Sequence, residues 1–100
     1  MVNDIWKNIE VFIKDTLSLT TEYLDIESIE FIEHYLKYDE YEMAFEALFI
    51  EIIKMKHLPT IDFNKSLEIA MHLKLNEESI FEPDFWNKFE KYTLNNIKYY

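Results

Sequence analysis

Glu30 and His34 stand four residues apart, the spacing at which a carboxylate and an imidazole share one face of a helix. One such pair is only half of a metal site. A di-iron bundle requires two Glu-x-x-His pairs and further glutamates, and His57 and His72 lie far away in sequence with no ligand-pair spacing. His57 precedes Leu58-Pro59 at the end of an apolar run, where an imidazole complements a helix C-terminus. His72 falls off the apolar stripe of its segment and is expected at the surface. The chain contains no cysteine and no glycine, which argues against thiolate metal sites, disulfides and the glycine-rich loops that cradle phosphates. No Ser-His-Asp order accompanies a nucleophile elbow. Many carboxylates could pair in the manner of a glycosidase, and nothing selects one pair. The expectation is of no catalytic residue, no metal ligand and no cofactor, in a protein that is not an enzyme.

What remains is charge. Twenty acids face ten bases, all lysine, for a net charge of −10. The imbalance is local: from Glu22 to Glu51 there are ten acids and one base, Lys37. Such a stretch opposes nucleic acid, whose phosphates require lysine and arginine, and it accelerates encounter with a basic protein. The plainer alternative is a solvated face that keeps the chain dispersed. Glu27, Glu30, Glu33 and Lys37 recur at three- and four-residue spacing, so they form an outward ridge whose like charges repel by a few tenths of a kcal/mol per pair. A cationic partner would relieve that repulsion. Tyr35, Tyr38 and Tyr41 lie among these acids, and tyrosine suits interfaces because it joins contact area to a hydrogen-bonding tip.

These groups must be positioned by helices. From Asp39 to Lys56, residues Tyr41, Ala44, Phe45, Leu48, Ile52 and Met55 fall on one stripe at 100° per residue, while Met43, Ala47 and Ile50 line the opposite side. A helix apolar on two sides is sandwiched between neighbours. Around it, the pattern predicts a first helix over 4–17 capped by Asn3, and a connection at Ser18–Thr21. A second helix starts at Asp25. The central helix opens on a capping box of Asp39 and Glu42, and a fourth, begun by Thr60 or Asp62, runs to Lys74. Asn76 caps one turn through Ile80 and Phe81, and Asp84 caps the last helix. Trp6, Phe12, Phe45, Phe49, Phe63, Phe81, Phe85, Trp86 and Phe89 are assigned to the core. No repeat, linker or strand-like alternation interrupts this reading. The expected fold is all-α, a compact bundle of four to five helices around a central helix near residues 40–56, in one domain spanning 1–100. No signal peptide and no apolar run of roughly 18 residues is evident, so no membrane partner and a cytoplasmic location are expected.

The stretch YLKYDEYEMAFEAL, Tyr35 to Leu48, resembles the small helical immunity proteins of bacterial polymorphic-toxin and contact-dependent-inhibition systems, including the MafI-type immunity proteins. The likeness is carried by Tyr38 and Asp39, then by an E-x-x-x-A-x-E-x-L helix made of Glu40, Ala44, Glu46 and Leu48. FNKSLEIAMHLKL, Phe63 to Leu75, and the aromatic-rich final helix also fit. The resemblance implies an immunity protein that binds and neutralises one cognate toxin domain, often a nuclease and in some relatives an EndoU-like RNase. Such a toxin has a basic groove for phosphates. The residues expected to meet it are Glu27, Glu30, Glu33, Tyr38, Asp39, Tyr41, Glu42 and Glu46. Two other readings of the same acids are a DNA-mimic or anti-restriction protein and a structural helical adaptor.

Overall fold

In the computed structural model, residues 5–55 and 60–97 are described. They fold as an all-α bundle of five helices: α1 Ile5–Thr20, α2 Ile26–Lys37, α3 Tyr41–Ile53, α4 Phe63–His72 and α5 Phe85–Asn96, with a 3-10 turn at Thr21–Tyr23 after α1. The expected caps at Asn3 and His57 lie outside the described residues. No helix among the described residues is long and apolar enough to cross a membrane.

Helix α3 is the hub, packing against α1, α2 and α5. Ala44 to Phe49 are buried without a break and Ile52 follows, so the two-sided apolar pattern does mark a sandwiched helix. Phe12, Phe45, Phe49, Phe85 and Phe89 are buried among the aliphatic residues of its core. Phe45 and Phe49 stack at 4.5 Å, and Phe89 of α5 meets both edge-on at 5.6 and 5.3 Å, arrangements that favour aromatic pairs beyond the area they bury.

Helix α1 runs three residues further than its apolar stripe predicts. Thr16 and Thr20 continue the buried face of Ile9, Ile13 and Leu17. The Thr20 hydroxyl donates to the Thr16 carbonyl at 2.9 Å, and Thr21 donates to the Leu17 carbonyl at 2.7 Å. Threonines that read as a polar connection are thus compatible with the core, because the helix itself satisfies their hydroxyls.

Two of the expected aspartate caps form. Asp25 accepts from the Ser28 N–H at 2.8 Å, and Asp62 from the Lys65 N–H at 3.0 Å. Hydrogen bonds from Ser28 also hold the Asp25 carboxyl below the usual carboxylate range. Asp84 precedes α5 but makes no capping bond, and pairs with Lys88 at 3.3 Å instead.

The Asp39–Glu42 capping box does not form. Asp39 has φ +58° and belongs to the end of α2, where its N–H bonds the Leu36 carbonyl and the Glu40 N–H bonds the Tyr35 carbonyl. Lys74, at φ +63°, ends α4 identically: its N–H reaches the Met71 carbonyl, and that of Leu75 reaches the Ala70 carbonyl. Both are Schellman ends, which ordinarily place glycine at the left-handed position. With no glycine in the chain, side chains occupy it, and buried Leu75 secures the second corner. A non-glycine residue there costs about 1 kcal/mol. Lys74→Gly should therefore raise the unfolding free energy by about 1 kcal/mol, read as a higher urea midpoint at unchanged slope. Asp39→Gly should gain less, because aspartate tolerates this conformation better.

Candidate protein-binding surface

The eight residues expected at an interface do not form one patch. Glu27, Glu30 and Glu33 project from the outer side of α2 and are exposed, as is Tyr38, at 59%. None of the three glutamates is paired with a lysine among the described residues, in contrast to Glu10, which both Lys7 and Lys14 approach. The bond from Lys14 holds the Glu10 carboxyl below its ordinary range. Lys37, the one base in the acidic stretch, sits 5.8 Å from the Tyr38 ring. His34 packs its ring 5.0 Å from Tyr38 and 5.4 Å from Tyr35. No group of three or more acids and histidines that could hold a metal ion occurs among the described residues.

Asp39 is exposed and accepts from the Tyr41 hydroxyl at 3.1 Å. Tyr41 is half-buried and stacks on Trp6 with ring centroids 6.2 Å apart. Burial, reinforced by the bond to Asp39, pushes the Tyr41 hydroxyl up to about 12. Trp6, assigned to the core from sequence, is 52% exposed and also meets His72 edge-on at 5.6 Å. Glu42 lines a separate cleft with Trp6, His72 and Lys74.

Glu46 is the clear departure. It is fully buried, so it is not part of any ridge. Its Oε1 accepts from the Ile80 N–H at 2.8 Å, and its Oε2 accepts from the N–H groups of Phe81 at 2.7 Å and Glu82 at 3.0 Å. A buried carboxylate without a counter-ion costs several kcal/mol unless donors converge on it. Three successive backbone dipoles supply that compensation. The same bonds explain why no helical turn forms through Ile80 and Phe81: those amides point to α3 instead.

This hold has a consequence at the surface. Phe81 is carried against α2, its ring 5.6 Å from Phe31 and 5.9 Å from Tyr35, while Phe31 and Tyr35 meet edge-on at 4.9 Å. Phe31 stays 45% exposed and Phe81 37%. The two rings wall a groove of about 390 Å³ whose apolar lining includes Ile32, Ala47 and Ile50. Sequence reasoning placed Phe81 in the core and passed over Phe31. The available signal was that Phe31 lies off the stripe formed by Ile29, Ile32 and Leu36.

Glu46→Gln turns an amide donor toward backbone donors and should lower stability by on the order of 3 kcal/mol, whereas Glu30→Gln should stay within about 0.5 kcal/mol. Hydrogen exchange at Ile80, Phe81 and Glu82 should accelerate in the first variant and not in the second. Alkali gives a second check. Folded Tyr41 keeps a proton that the unfolded chain releases near pH 10, so its contribution is present below pH 10 and is lost as pH rises to about 12. In Tyr41→Phe, the decline of the urea midpoint across that window should be shallower.

No protein-family model matches the chain, and no curated protein or solved structure matches it.

Proposed function

We propose that this protein is an immunity protein, which binds a cationic toxin domain of the nuclease kind and neutralises it through the outer side of α2. The observation that carries the reading is the row of Glu27, Glu30 and Glu33, exposed and without a lysine partner among the described residues. Nucleases hold phosphates in basic grooves, and a helix face of this charge is their complement. The likeness of Tyr35–Leu48 to small helical immunity proteins points the same way. Attraction of this kind reaches about 8–10 Å at physiological ionic strength, so it sets capture rate and discrimination more than residence time. On this reading the protein acts in the cytoplasm, where a delivered toxin must be met.

The test is co-expression with the product of the adjacent reading frame, followed by binding kinetics on the purified pair. Rescue from toxicity is expected, with association that slows steeply as salt rises. Reversal of Glu27, Glu30 and Glu33 together to lysine should slow association by about tenfold or more while leaving helicity unchanged. Glu46 must stay in place, since its loss would disturb the fold rather than the field. Association unaffected by the triple reversal would reject the acidic-face mechanism. Capture of several unrelated DNA-binding proteins, competed by duplex DNA, would indicate a DNA mimic instead.

A further inference from the structure

We propose that the groove walled by Phe31 and Phe81 is where the partner is anchored, and that its occupant is a basic polypeptide segment presenting one apolar side chain between lysines or arginines. This inference rests on the reading that the protein captures a cationic partner, and it adds the place and the chemistry of the anchor.

Three features define the occupant. The interior of the groove is apolar, and two aromatic rings stand exposed at its wall, which favours an aliphatic or aromatic side chain. The rim is acidic: Asp25 and Glu27 lie on the α2 side and Glu51 on the α3 side. Among the described residues, no basic side chain lines the groove. The ion pair of Glu51 with Lys54, at 3.5 Å, leaves the lysine two-thirds exposed, and such pairs hold too weakly to resist exchange for an incoming cation. A neutral apolar occupant would desolvate these carboxylates without pairing them, and an acidic one would be repelled. A volume of about 390 Å³ accommodates one or two side chains rather than a whole helix, so one anchor with flanking cations is the fitting pattern.

The anchor and the steering ridge are separable in kinetics. Phe31→Ser alters an exposed ring, and folding of the variant is verified by circular dichroism. With a lysine–leucine amphipathic peptide as probe, the resonances of Phe31, Ala47 and Phe81 should shift together on titration. Phe31→Ser should weaken the peptide roughly tenfold mainly through faster dissociation, and Glu27→Gln with Glu51→Gln should weaken it further. A glutamine–leucine peptide and an oligolysine of equal charge should bind less tightly than the probe. Equal binding of oligolysine, with no effect of Phe31→Ser, would overturn the groove as anchor while leaving the acidic face intact. Failure of every cationic probe to bind would overturn both readings. Sedimentation showing that a second copy of this chain fills the groove would overturn the proposed occupant.

Discussion

One buried carboxylate ties the irregular part of this molecule to the regular part. Glu46 lies in the middle of the helix on which the bundle is assembled, and its two oxygens receive three consecutive backbone amides from residues 34 to 36 positions further along. Each side solves the other's problem. An uncompensated charge in the core would be very costly, and a loop laid against the core would leave unpaired N–H groups. Joined, they leave the segment before α5 defined without any helix or sheet of its own. The position of Phe81, and with it the shape of the groove beside α2, follows from that junction.

Several hydroxyls inside this bundle are satisfied within their own helix, whereas the buried Tyr92 hydroxyl has no partner among the described residues. Thr16, Thr20, Ser66 and Thr93 are buried. The hydroxyls of Thr20, Ser66 and Thr93 each turn back to a carbonyl one helical turn earlier. Among the described residues, Glu46 is the buried side chain that reaches across the fold, accepting from the N–H groups of Ile80, Phe81 and Glu82. Exposed acids follow another logic. Glu10, Glu51, Glu82 and Asp84 sit beside lysines, and such exposed pairs contribute little to stability. Glu27, Glu30 and Glu33 form no ion pair with a lysine among the described residues and shape the external field instead.

Much of the architecture was legible in the residues. Helical periodicity identified all five helices, the two-sided apolar pattern singled out α3, Asp25 marked the start of α2, and of the two candidates Thr60 and Asp62 it is Asp62 that caps α4. What escaped was non-local or unmarked. Asp39 resembled an N-cap because a left-handed helix end is normally signalled by glycine, and this chain has none. The polar look of the threonines after Leu17 hid hydroxyls that α1 could satisfy internally. Glu46 was expected at the toxin-binding surface, although its setting in AFEALFI, a charge among apolar neighbours, marks a buried position. Its partners lie too far along the chain for any local pattern to reveal them. Of the expected site, Glu27, Glu30 and Glu33 on α2 and Tyr38 just after it are exposed, while Tyr41 and Glu42 turn toward Trp6 and the end of α4.

The wall that Phe81 provides is held by three hydrogen bonds to a single side chain rather than by a secondary-structure ladder. Segments secured so narrowly open at lower free energy than the helices they rest on. A brief release of residues 80–82 would erase half of the groove while every helix stayed wound. Secondary-structure content is consequently a poor proxy for the integrity of this groove: a chain can look native by its helicity and still have lost one of the two aromatic walls.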